Sequence, residues 1–176
     1  MADITMEWVT SPVIILDDNQ LPVRQVYVWY LTPDGKFLLV SKDGKKWQLP
    51  GGKPGASESL VQTAVREMQE ETGLSIADEV TGLTFFGYYR VTKHERDGSQ
   101  EQFLQVRLYL KSRARADELN LSADGEDWSQ AEADQIMHVC AVTSVEACNL
   151  IPWLSSSGEY RELKAQDHMR ARFPAA

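Results

Sequence analysis

Three glutamates, Glu67, Glu70 and Glu71, crowd into one short stretch of the chain. If that stretch is helical, Glu67 and Glu71 stand one turn apart and Glu70 lies beside them. Like charges at these spacings repel, at about 0.2–0.5 kcal/mol per pair and more where water is thin. A divalent cation reverses the sign of that interaction, because hard cations such as Mg²⁺ take carboxylate oxygens. Taken alone, the three acids would equally suit a solvated acidic helix face. The residues around them decide between the two readings.

Gly52, Glu58, Arg66 and Gly73 complete a pattern, Gly-x5-Glu-x7-Arg-Glu-U-x-Glu-Glu-x-Gly-U, with Met68 and Leu74 at the bulky aliphatic positions. At average usage of roughly 7% per fixed position, a chance match has odds on the order of 10⁻⁷. The stretch resembles the Nudix box, the signature of the Nudix hydrolase superfamily, at every defining position. The resemblance implies an α/β fold, the Nudix-type α/β/α sandwich, with a mixed central β-sheet, the box helix on one side and the C-terminal helix on the other. It implies that Glu67, Glu70 and Glu71 bind Mg²⁺ or Mn²⁺, with the carbonyl of Gly51 as a backbone ligand. Arg66, supported by Glu58, would orient a catalytic glutamate. The implied reaction is hydrolysis of the diphosphate bond in a nucleoside diphosphate linked to another moiety. Cations neutralise the diphosphate and lower the pKa of a water, and a carboxylate takes the water's proton. The general base stays open: Glu70 in the box, Glu132 ahead of a late strand, or the loop acids Glu126, Glu95 and Glu101.

The surrounding chain must position these groups. Apolar spacing predicts a helix over 57–72, capped by Ser57, with Glu58 in its first turn and Leu60, Ala64, Val65 and Met68 on its apolar face. Gly73 fits a left-handed stop. Strands are expected at 12–16, 23–31, 37–40, 80–91, 103–110 and 136–142, with turns at Pro33-Asp34-Gly35, Asp43-Gly44 and Asp97-Gly98. Gly51 and Gly52 let the backbone approach a ligand closely, and Trp47 and Leu49 anchor the segment before them. Gly82 and Gly87 suit bulges or close approach. The polar connection 113–135 has the length of a functional loop. Helices are expected at 145–154, where Pro152 ends or kinks the run, and at 159–172.

Composition narrows the partners. The 176 residues are 43% hydrophobic, as expected of one domain over 1–176 with a real core. The net charge of −8 argues against a grip on long nucleic acid, and a small nucleotide-type substrate brought in by metal remains compatible with it. No apolar run suits a membrane span. The N-terminus carries acids where a signal peptide has basic residues, so the expected compartment is the cytoplasm. Cys140 and Cys148 read as reduced, and His94 and His138 as structural or solvated. Arg24, Arg90 and Arg107 fall on strands, where one could grip a phosphate bidentately. Tyr27, Trp29, Phe86, Tyr88 and Tyr89 could stack on a base, although strand aromatics equally build cores. Trp8 and Trp128 are compatible with a homodimer interface.

Branch markers are thin. Tyr88 stands where ADP-ribose-directed relatives carry proline, and a tyrosine near this place marks dinucleoside polyphosphate hydrolases. Two other readings share the fold. A non-catalytic nucleotide-sensing Nudix-like module commonly loses box acids, and all are kept here. An isopentenyl diphosphate isomerase needs a poised Cys and Glu pair and metal-binding histidines, which Cys140, His94 and His138 fit poorly.

Overall fold

The computed structural model describes residues 3–11, 13–14, 18, 20–122 and 136–172, with side chains described as far as 165 in the last helix. Two strands make its centre. β2 (Val23–Leu31) and β7 (Gln100–Lys111) pair in parallel, with Tyr27 beside Arg107 and Trp29 beside Tyr109. Both faces of this pair are covered, so its strands read as almost continuous apolar runs rather than as simple alternation. The period-two rule still sorts them. Val26, Val28, Tyr30, Leu104, Val106, Leu108 and Leu110 belong to one core, and Trp29, Leu31 and Tyr109 to the other.

The remaining strands add to this centre. The order is β1 (Asp3–Val9), β6 (Thr84–His94), β7, β2, β3 (Lys36–Ser41), β4 (Trp47–Gln48), with β8 (His138–Thr143) on β3 and β5 (Gly51–Gly52) on β2. Every pairing but β2·β7 is antiparallel, so the sheet is mixed. The free edge of β2 is shared: β3 meets it only at Leu31, and β5 takes Val26 and Tyr27. That split places Gly51 and Gly52 against the middle of the sheet.

Helix α1 (Leu60–Thr72) covers one face through Ala64 and Met68. α2 (Ser144–Leu150), a 3₁₀ turn (Leu154–Ser156) and α3 (Gly158–Arg172) cover the other through Ala147, Ile151, Leu154, Tyr160 and Leu163. The expected α/β/α sandwich is the architecture found.

Several local expectations change. The box helix is capped by Ser59, not Ser57. Ser59 Oγ accepts from the Gln62 amide, while the Gln62 side chain accepts from the Ser59 amide, a reciprocal capping box that Ser57 cannot form. Glu58 therefore precedes the helix and is released from its first turn. Gly73 does close the helix, at φ 73°. The run 80–91 begins in a 3₁₀ helix (Ala77–Gly82), and its strand continues to His94. In the run 12–16, the described residues Val13 and Ile14 lie outside any strand. β1 was not expected; its seven residues hydrogen-bond along β6, which supplies the partner that so short a segment lacks by itself. Gly87 sits at a register shift between β6 and β7, and a Cβ there would lie 2.7 Å from the Trp8 ring. The bulge lets Phe86 and Tyr88 serve opposite cores. Trp8 is thereby packed on Phe86 and Tyr89, at 5.5 and 5.1 Å between centroids, and is only partly exposed. Trp128 lies outside the described residues.

Candidate active site

The acids of α1 lie along one edge of the helix, and their burial is graded. Glu67 is 8% exposed, Glu71 is half-buried, and the Glu70 side chain is 57% exposed. The first two press against β5. Gly51 N–H donates to Glu71 Oε2 at 2.7 Å. The Glu67 carboxylate lies so close to Gly52 that a Cβ there would stand 2.4 Å from Glu67 Oε1. A Cβ on Gly51 would meet the Val26 carbonyl at 2.1 Å, and its φ is +144°. The glycine pair is thus required twice, once by β2 and once by the acids.

Arg66 gathers the remaining charges. Its Nε and Nη2 donate to the two oxygens of Glu58 at 2.7 and 3.0 Å, a bidentate fork. Nη1 donates to Glu67 at 2.8 Å and Glu70 at 2.9 Å, and Nη2 also reaches the Lys53 carbonyl at 3.1 Å. Glu58 further accepts from Gly55 N–H and Thr63 Oγ1. These contacts hold the Glu58 carboxyl down at about 2. Burial pushes Glu71 up to about 8 against the Gly51 N–H bond, with the Glu67 and Glu70 charges adding to the rise and Lys42 opposing it more weakly. Glu67 is also raised, chiefly by burial, against the pull of Arg66. One guanidinium therefore faces three carboxylates, and a fourth lies behind them.

On the other face of the sheet lies a cavity of about 780 Å³. Trp8, Tyr27, Trp47, Tyr89, Arg107 and Trp153 supply much of its wall. The two regions adjoin. The segment Trp47–Gln48 and Leu49 lines the cavity immediately before Gly51. Tyr27 lines it too, within electrostatic reach of both Glu67 and Glu71. The arrangement is an acidic edge with a half-buried, high-pKa carboxylate, joined through Tyr27 and the Trp47–Leu49 segment to an aromatic-walled chamber on the other face of the sheet.

Each of the three strand arginines weighed for a phosphate grip is already paired with a carboxylate. Arg24 pairs with Glu101. Arg90 pairs with Glu7 and with buried Asp18, which also accepts from Tyr88 Oη at 2.6 Å. Arg107 pairs with Glu159 at 2.7 Å, both almost fully buried. The same pairings engage two of the candidate bases, Glu101 with Arg24 and Glu95 with Lys93. Glu132 and Glu126 lie outside the described residues. Of the aromatics weighed for stacking, Trp29, Phe86 and Tyr88 are core, and Tyr27 and Tyr89 reach the cavity. His138 is exposed near Trp47, and His94 ends β6. Cys140 and Cys148 are free thiols, and burial pushes Cys140 up to about 11, which suits an inert packing residue. Sequence reasoning missed Glu159, Trp47 and Trp153 as cavity residues; Glu159 sits in the first turn of a polar helix, and no spacing marks it as buried.

Among the described residues, no three His, Cys, Asp or Glu side chains are gathered as a ready metal cage. Arg66 instead stands between Glu67 and Glu70. The donor chemistry nevertheless suits a hard cation: carboxylate oxygens, half-buried, with one proton affinity raised by burial and neighbouring charge.

A fold of this topology carrying this acidic helix edge is that of a NUDIX domain. The model of that family matches residues 21–153, and the chain belongs to the family. Among curated relatives, it is 32% identical over 81 residues to Bacillus subtilis YtkD, which carries the name of an 8-oxo-dGTP diphosphatase; the match covers 46% of this chain and 49% of that one. It is 49% identical over 45 residues to the phosphatase NudJ of Escherichia coli K12, covering 24% and 29%. The chain thus spans about half the length, or less, of the curated relatives it matches. Among solved structures it resembles a mutant of the Bacillus subtilis pyrophosphohydrolase BsRppH, with a TM-score of 0.57 at 17% identity over 93% of this chain and 92% of that one. It also resembles a C. elegans Ap4A hydrolase, with a TM-score of 0.50 at 16% identity over 82% and 98%. At these identities the likeness speaks for the fold. No helix among the described residues is long and apolar enough to cross a membrane.

Proposed function

We propose that this chain is a divalent-metal-dependent pyrophosphohydrolase that cleaves a phosphoanhydride bond in a small nucleotide-type substrate. The observation that carries the reading is the graded burial of Glu67, Glu71 and Glu70 on one helix edge, clamped to Gly51–Gly52 just after the Trp47–Leu49 segment that walls the aromatic chamber. Glu67, Glu70, Glu71 and the Gly51 carbonyl would hold Mg²⁺ or Mn²⁺. When bound, the cation would screen the diphosphate charge and acidify a water. Arg66 positions Glu67 and Glu70 through its shared Nη1, and Glu58 locks the far side of the guanidinium. Glu70, the most exposed of the three, would take the water's proton; Glu132 is the second candidate for that step. The cavity would receive the part of the nucleotide away from the reacting phosphorus.

We further propose one catalytic domain over 1–176, a reading supported by the family match over 21–153, acting in the cytoplasm. The names of YtkD and BsRppH support phosphoanhydride substrates. The test is release of phosphate or nucleotide from a panel of nucleoside triphosphates, dinucleoside polyphosphates and nucleotide sugars, with Mg²⁺, with Mn²⁺ and with chelator. Glu71→Gln is expected to lower turnover of the best substrate by about 10²-fold or more. Full activity in that variant sinks the assignment of Glu71. Tight nucleotide binding without turnover makes the chain a sensing module instead.

A further inference from the structure

Arg107 is not used by the chemistry above, yet it lies at the chamber wall in an unusual setting. It projects from the central strand β7, between β2 and β6. Tyr27 from one neighbour and Tyr89 from the other cover the guanidinium at 4.5 and 5.2 Å from their ring centroids. The rings take none of its hydrogen bonds, so the N–H groups of the guanidinium are left for other partners. Nε donates to Glu159 at 2.7 Å, and Nη1 makes a long contact of 3.5 Å to the Val106 carbonyl. Among the described residues, Nη2 has no acceptor. Glu159 comes from the first turn of α3 and is fully buried, so it also fixes the direction in which the fork points.

The chemistry of this edge is selective. It offers only donors, and Glu159 cancels its net charge. A neutral planar acceptor therefore suits it better than a phosphate, which would gain little from a neutralised pair in an aromatic-walled chamber. A guanidinium fork matches two adjacent acceptors, as on the O6/N7 edge of guanine. Adenine places an amino donor at the same position, where it would face the N–H groups.

We infer that Arg107, oriented by Glu159 and held between Tyr27 and Tyr89, makes the chamber selective for a 6-oxopurine base over adenine. The inference rests on the proposed nucleotide substrate and specifies its base. It is tested on the whole chain with magnesium present, using GMP, IMP, AMP and inorganic phosphate as probes. None of these has a diphosphate bond to turn over, so binding is read directly by NMR titration. GMP and IMP are expected to bind about tenfold or more tightly than AMP, equivalent to about 1.4 kcal/mol. Arg107→Lys keeps the charge opposite Glu159 but loses the fork. Arg107→Met combined with Glu159→Gln removes both charges. In each the preference should fall to about unity, with AMP affinity within about twofold and the NMR spectrum of a folded chain retained.

Equal binding of AMP and GMP to the unaltered chain overturns the inference and leaves the hydrolase reading intact. Displacement of GMP by an equal concentration of inorganic phosphate also overturns it, making Arg107 an anion site. If none of the three nucleotides binds, the nucleotide reading fails and takes the inference with it.

Discussion

Arg66 and Arg107 sit on opposite sides of the same sheet and solve opposite problems. Arg107 meets one carboxylate, in near-complete burial, and the pair is electrically closed. Arg66 meets three carboxylates, with Glu71 close behind, and leaves that face with an excess of negative charge. A closed pair can be sealed in the core, where it orients α3 and the chamber wall. An open cluster cannot be sealed, because burying its surplus charge would cost more than one guanidinium returns. Its acids therefore grade outward to solvent, and it is the open cluster that has capacity left for a cation.

The sharpest way to break the comparison is to open the closed pair. Arg107→Met strands Glu159 in the core and is expected to cost about 3–5 kcal/mol in chemical denaturation at neutral pH. Burial raises the Glu159 pKa against the pull of Arg107; loss of the guanidinium removes that pull, so the deficit should shrink as pH falls and the stranded Glu159 protonates. A deficit independent of pH would mean that lost packing, not stranded charge, is responsible.

The glycine pair under the open cluster separates backbone from side-chain constraint. Gly51→Ala drives a Cβ into the Val26 carbonyl, which cannot move without β2, and is expected to cost about 3 kcal/mol. Gly52→Ala first meets the end of the Glu67 side chain, which is flexible where the Val26 backbone is not. It should cost about 1 kcal/mol while lowering turnover at least tenfold, because the carboxylate must leave its place. Equal stability losses in the two variants would contradict the geometry.

Asp18 provides a smaller test away from both arginines. The Arg90 hydrogen bonds and Tyr88 hold its carboxyl below the usual 3.8. Its stabilisation is therefore present above pH 3.8 and is lost as pH falls through the lower folded-state value. Asp18→Asn should cost about 1–3 kcal/mol at pH 7, and the two chains should converge in acid denaturation. The smallest effect concerns the open cluster itself. With Glu71 at about 8, it holds its proton at pH 6.5, so Mg²⁺ binding there should release close to one proton. Calorimetry in two buffers of different ionisation heat should show that release fading above pH 9. No proton release at pH 6.5 would mean that Glu71 is already ionised in the free chain or takes no part in holding the cation.

How much of this was visible in the chain depends on the range of the interaction involved. The box positions, the helix they occupy and its stop at Gly73 are local, and their spacing announces them. The Ser59 cap was missed by two residues, because Ser57 and Ser59 both suit a cap and only the reciprocal partner Gln62 decides between them. The strands at 23–31 and 103–110 were evident from β-branched and aromatic runs. β1 was not, since Ile4 and Met6 remain exposed and the strand exists through its pairing with β6. The strand arginines show the same limit: their types and placement read as phosphate grips, whereas carboxylates far along the chain hold them. Nothing local distinguishes Glu159, which is wholly buried, from Glu162 one turn on, which is partly exposed.

The sequence by itself determined the family, the acidic helix edge and the need for glycine beside it, because these are set by spacing within one turn or one loop. Tertiary structure alone decided which charges are surplus and which are cancelled. Neutralisation is a matter of ångströms between strands and helices that meet only in the folded chain, and that distance sorts the Arg66 cluster from the Arg107 pair.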